Sequence, residues 1–134
     1  MTNRIRSQIL MVDDDPDECE NMADILNARG YRVDTAPGGR AALRLVDRQP
    51  YDLALLDLKM PGMDGLTLSR QLTRRHPGTV ALLVTGYPDD VTPAEARAAG
   101  IRRVIRKPLD VPRLLATIEE ALGDLAGSTH CGVG

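Results

Sequence analysis

Apolar residues fall along this chain in two alternating patterns. Short continuous runs at Ile9–Val12, Leu53–Leu56 and Val80–Val84 have the length of strands buried on both faces, and each ends abruptly on polar residues. Between them, apolar positions recur at helical spacing. One such segment opens at Pro16, whose fixed φ suits a first helical turn, carries Met22, Ile25 and Leu26 on one face and stops at Gly30. A second follows Pro37-Gly38-Gly39 and runs to about Gln49, with Ala42, Leu45 and Val46 inward. Asp64 reads as the N-cap of a third helix reaching about Arg75, and a short fourth spans about Pro93–Ala99 before Gly100. The last, from about Val111 to Leu125, has the clearest stripe: Leu114, Leu115, Ile118, Ala121, Leu122 and Leu125. Tyr31–Ala36 alternates like a half-exposed strand, and Arg103–Ile105 reads as a weaker fifth one.

Five strands and five helices in strict alternation predict an α/β domain with a parallel sheet, helices on both faces and right-handed crossovers. One domain is expected over residues 1–126, with 127–134 as a flexible C-terminal tail and no repeat or linker. The 134-residue length suffices for a real core. A net charge of −2 and only three aromatic residues, all Tyr, argue against direct nucleic-acid or membrane-surface binding. No apolar run approaches the ~20 residues of a membrane span. Two cysteines, Cys19 and Cys131, build no disulfide framework, so the expected setting is reducing and cytoplasmic.

Ligands of open α/β sheets bind at the carboxyl ends of the strands. The polar residues after each run are therefore the candidates: Asp13, Asp14 and Asp15 after the first strand, Asp57 after the third, Thr85 after the fourth and Lys107 after the fifth. With strand order 2-1-3-4-5 the first and third strands are neighbours, and their carboxylates converge. Two carboxylates ~4 Å apart repel by about 4 kcal/mol at an effective dielectric near 20, so such a cluster takes up protons or recruits a cation. All-oxygen ligation suits a hard divalent ion, Mg²⁺ above all, with Mn²⁺ as an alternative. Asp15 is expected to cap the first helix, Cys19 to be a small apolar helix residue, and His76 a solvated helix end. His130 and Cys131 sit adjacent in the tail without forming a metal site. Arg102, Arg103 and Arg106 form a basic cluster read as a solvated edge, or as a partner surface with Asp110, Glu119 and Glu120.

VDDDP, LLDLKMPGMDG, VTGYPDD and RKP, in this order and each at a strand end, resemble the landmarks of the receiver domain of two-component response regulators, over roughly Gln8–Leu125. The resemblance implies a flavodoxin-like (βα)5 three-layer sandwich. It implies that Asp57 accepts a phosphoryl group from a sensor histidine kinase or histidine phosphotransfer protein, and that Asp13, Asp14, Asp57 and the Lys59 carbonyl hold Mg²⁺. It gives Thr85 the role of switch hydroxyl, Lys107 that of the phosphoryl-binding lysine, and a cis Lys107–Pro108 bond. It also implies dimerisation through the face of helix four, strand five and helix five. Val104 stands where the family often has an aromatic switch residue, so output is expected to use backbone and loop shifts or side chains such as Tyr87. Lys59 and Tyr87, each two residues past a site residue, are expected to slow hydrolysis of the phosphorylated state. Two other functions compete: an aspartate-based phosphohydrolase, disfavoured because Lys59 replaces its general acid, and a pseudo-receiver signalling without phosphorylation, disfavoured because no site residue is missing.

Overall fold

The structure, a computed structural model, describes residues 7–130, with side chains described as far as Gly123. Its elements are β1 (Gln8–Val12), α1 (Pro16–Ala28), β2 (Arg32–Ala36), α2 (Gly39–Arg48), β3 (Leu53–Asp57), α3 (Gly65–Arg75), β4 (Val80–Thr85), a 3-10 turn at Pro88–Asp90, α4 (Pro93–Ala98), β5 (Ile101–Arg106) and α5 (Val111–His130). All pairings are parallel, and the sheet order is β2-β1-β3-β4-β5, as expected.

Side-chain alternation divides the core between the two faces of the sheet. Ile9, Met11, Leu53, Leu55, Leu82 and Val84 pack with Met22 and Leu26 of α1 and Leu114 and Ile118 of α5. Leu10, Val12, Ala54, Leu56, Ala81 and Leu83 pack against α2, α3 and α4 through Val46, Leu68, Leu72 and Ala96. This double coverage is why β1, β3 and β4 had to be uninterrupted apolar runs.

The helix starts follow from local chemistry. Asp15 accepts from the N–H groups of Asp17 and Glu18 and caps α1, while Asp64 accepts from Thr67 N–H and caps α3. Thr92 and Glu95 close a reciprocal capping box on α4. Gly30 and Gly100 leave their helices at φ 97° and 83°, in the left-handed region that glycine adopts without strain.

Three expectations are corrected. β5 is twice as long as the expected Arg103–Ile105, because it is an edge strand whose outward residues, Arg102, Arg103, Val104 and Arg106, are exposed and give no apolar run. Its pairing with β4 also slips by one residue between Ala81 and Leu82. α5 does not stop at Leu125 but continues to His130, the sequence having no proline after Pro112 to end it. Of the expected tail, residues 131–134, including Cys131, lie outside the described residues, as does the His130 side chain. His76 caps the end of α3 but is not simply solvated: its Nε2 lies 3.0 Å from Asp47 of α2, which Arg75 also meets at 2.8 Å. Among the described residues no helix is long and apolar enough to cross a membrane.

Gly65 is required for another reason. A Cβ there would run into the backbone carbonyl of Asp57 and lie 2.8 Å from Leu83 Cδ1. Gly65→Ala is expected to lower stability by about 1–3 kcal/mol through overpacking. Gly78→Ala, at a site with nothing within 4 Å, is expected to stay within about 0.5 kcal/mol of the parent. Urea denaturation of the two variants checks the difference.

Candidate functional site

The sheet register assembles the site. Val12 pairs with Leu56, so the residues that follow, Asp13 and Asp57, emerge side by side. Asp57 pairs with Val84 and Thr85 with Arg106, which places Thr85 and Lys107 at the next two strand ends. Backbone bonds carry the ladder past the strands, from Asp13 N–H to Ala36 O (3.2 Å), Leu58 N–H to Val84 O (3.3 Å) and Lys107 N–H to Thr85 O (2.8 Å). Asp13 and Asp57 share the parity of Met11 and Leu55, so both lean toward α1 and α5. The Lys107–Pro108 peptide bond is cis.

One carboxylate oxygen from each of Asp13, Asp14 and Asp57 fits within a 4.8 Å group. Asp13 and Asp57 are buried and Asp14 is exposed. Three hard oxygen donors, one of them on an exposed residue, fit a divalent ion of the Mg²⁺ or Mn²⁺ class. Lys107 Nζ reaches into the same group, 3.2 Å from Asp57 Oδ1 and 3.3 Å from Asp13 Oδ2. It also meets Glu18 Oε1 of α1 at 3.0 Å.

Protonation follows from this crowding. Burial pushes the Asp57 pKa up, the Asp13 charge pushes it further, and Lys107 only partly offsets them. For Asp13 burial acts upward too, but the Asp15 N–H, the hydrogen bond with Glu18 and the Lys107 charge outweigh it and hold the pKa down. The hydrogen bond with Asp13 pushes Glu18 up. Burial acts downward on Lys107, and its carboxylate contacts more than reverse this, so the ammonium stays charged. Cys19 packs beneath, its thiol donating to Asp13 O at 3.3 Å and pushed up to about 11 by burial, so it is the inert helix residue expected.

Thr85 is buried and accepts from Tyr87 N–H at 2.9 Å, its own proton remaining a donor. The Lys59 side chain turns to the rim, where Nζ lies 2.9 Å from Asp90 Oδ2 and 4.5 Å from the centre of the Tyr87 ring. Val104 is exposed on β5, and Arg103 there pairs with Glu120 of α5 at 3.0 Å, within the chain itself.

The family model of the response regulator receiver domain matches residues 9–119. The chain belongs to the response regulator receiver family. As a receiver it is 39% identical over 114 residues to the transcriptional regulatory protein ZraR of Escherichia coli K12, covering 85% of this chain and 26% of that one. It is 40% identical over 106 residues to a response regulator receiver protein of Anaeromyxobacter sp. Fw109-5, covering 79% of this chain and 44% of that protein. The receiver thus spans less than half the length of these relatives. Among solved structures it matches a CheY-like receiver domain of Methanospirillum hungatei with TM-score 0.86 and 30% identity, over 92% of this chain and 99% of the other. It also matches the response regulator TrrA of Thermotoga maritima in complex with Mg²⁺ and BeF, with TM-score 0.79 and 28% identity, over 86% and 98% of the two chains.

Asp13, Asp14, Asp57 and Lys107 are thus gathered in one cluster, with Thr85 at the adjacent strand end. The Lys59, Tyr87 and Val104 side chains lie outside it. Sequence reading missed Glu18 and Asp90. Glu18 was legible only in that a first-turn residue of α1 lies near the strand ends; Asp90 sits in a loop whose path no pattern predicts.

A carboxylate whose folded pKa is raised binds protons more tightly folded than unfolded. Its stabilising contribution is present below the unfolded value near 3.8 and is lost as pH rises through the folded value. Asp57→Asn should therefore be more stable than the parent in metal-free buffer at pH 7 to 8, and the gain should shrink on acidification toward ~4. Thermal denaturation of both proteins with chelator across that range tests it; a gain that does not depend on pH contradicts it.

Proposed function

We propose that this receiver is a phosphorylation switch in which Asp57 accepts a phosphoryl group from a phosphohistidine on a histidine kinase or histidine phosphotransfer protein. The observation that carries the reading is Lys107 Nζ, 3.2 Å from a buried Asp57 that lies against two further carboxylates. Ionised Asp57 attacks phosphorus and forms an acyl phosphate P–O bond. The P–N bond to the donor imidazole breaks, and its electron pair stays on nitrogen. In hydrolysis water attacks in line, the acyl phosphate P–O bond breaks, and carboxylate and inorganic phosphate are released. Lys107 and the Thr85 hydroxyl donate to the phosphoryl oxygens. Asp13, Asp14, Asp57 and the Lys59 carbonyl would hold Mg²⁺, which supplies charge neutralisation at the transferring group.

The TrrA relative, crystallised with Mg²⁺ and BeF, supports this ion class here. Two competing readings lose ground. A phosphohydrolase needs an acid where Lys59 stands, and the Asp90 carboxylate pushes the Lys59 pKa up, which keeps it a cation. A pseudo-receiver lacks part of the constellation, whereas all of it is present. Residues 1–126 are proposed to be the functional unit, in the cytoplasm, with 127–134 as a tail that begins within the last turn of α5. A second copy is proposed to dock on α4, β5 and α5; on the α4 and β5 part of that face Val104 and Arg106 line a groove of about 780 Å³.

Incubation with a small acyl phosphate donor and Mg²⁺, read by intact mass, should add one phosphoryl group to the parent and none to Asp57→Asn. Lys107→Ala should slow the reaction by about 10²-fold, the usual cost of losing one donor aimed at developing charge. No added phosphate on the parent, or uptake that survives Asp57→Asn, would sink the reading. The Lys59 and Tyr87 side chains lean together over the rim and should order or exclude the attacking water. Lys59→Ala and Tyr87→Ala should each shorten the phosphorylated lifetime several-fold, and unchanged lifetimes reject that role.

A further inference from the structure

The geometry points to Glu18 as a positioning residue that holds Lys107 in the resting state and competes for it with a phosphoryl group on Asp57. The inference rests on the proposed phosphorylation of Asp57. An ammonium has three N–H donors and no acceptor. In this structure Lys107 Nζ donates to Asp57 at 3.2 Å and to Asp13 at 3.3 Å and forms an ion pair with Glu18 at 3.0 Å, so three carboxylates compete for one ammonium. A phosphoryl group on Asp57 takes over the Asp57 contact and then competes with Glu18 and Asp13 for the same ammonium.

Glu18 is the partner built to let go. Its side chain is 46% exposed, against 2% for Asp13 and 11% for Asp57, so water can solvate the freed carboxylate. Asp13 is fixed by the Asp15 N–H at 3.0 Å, and Asp57 is the reacting group. Glu18 is mounted on the first turn of α1, whose start is set by the Asp15 cap rather than by the site. Its hold on Lys107 therefore favours the unphosphorylated form, and its removal should favour uptake. An exposed ion pair is a weak hold, so the expected gain is about two- to fivefold in phosphorylation rate.

Three proteins test it: the parent, Glu18→Ala, and Glu20→Ala. The last removes the same charge from an exposed position on the same helix. With the small acyl phosphate donor and Mg²⁺, Glu18→Ala should be phosphorylated two- to fivefold faster than Glu20→Ala. In the metal-free proteins, NMR relaxation of the Lys107 ammonium should show it more mobile in Glu18→Ala and unchanged in Glu20→Ala. Neither readout follows from a merely structural role for Glu18. Equal rates for the two variants, or an ammonium unaltered by Glu18→Ala, overturn the inference while a phosphorylated parent leaves Asp57 standing. A parent that accepts no phosphate overturns the Asp57 reading instead, and with it the competition.

Discussion

Everything at the carboxyl edge of this sheet depends on a charge conflict that the parallel register creates. Pairing Val12 with Leu56 brings Asp13 and Asp57 out together on the α1/α5 side, with Asp14 beside them. Neither strand can shift to relieve the repulsion, because a one-residue slip would exchange the side chains packed on the two covered faces and disrupt both cores. The conflict is met by charge instead. Lys107 enters from β5 and bonds Asp13 and Asp57 at once, while burial first and the Asp13 charge second still push the Asp57 pKa up. A site crowded with carboxylates is one that attracts a divalent ion, and it keeps Asp57 close to a cation.

The rest of the architecture serves that edge. The apolar runs of β1, β3 and β4 are covered on both faces, which fixes the strand ends in space to the precision of backbone hydrogen bonds. Gly65 lets α3 begin against the Asp57 carbonyl, and its N–H donates to Leu58 O at 2.9 Å, closing the loop after the nucleophile candidate. The rim is softer. Lys59 and Asp90 form an exposed pair beside the exposed Tyr87, an arrangement that costs little to rearrange. Buried carboxylates thus sit under an adjustable rim, and Val104 is exposed on β5.

Local order was written plainly in the chain. The fully buried strands, the caps at Asp15 and Asp64 and the order of polar residues at the strand ends each depend on a few neighbouring side chains. Their physics is therefore contained in a short window of sequence. The strand ends alone nominated Asp13, Asp14, Asp57, Thr85 and Lys107, because an open parallel sheet presents its carboxyl edge to solvent. β5 was legible only in part, since an edge strand rich in arginine carries no apolar run to mark its length.

What the tertiary structure decided is which side chains share a charge. Glu18 and Lys107 are far apart in sequence and meet only because α1 packs on the face toward which Asp13 and Asp57 point. Lys59 finds Asp90, and Arg75 with His76 finds Asp47, by the same convergence of separate elements. Sequence spacing fixes which face of its own element a residue occupies, whereas an ion pair between elements depends on angles and distances set by the packing of the whole core. The chain alone thus determined where the reactive edge lies; only its folding determined that Lys107 is shared among three carboxylates there.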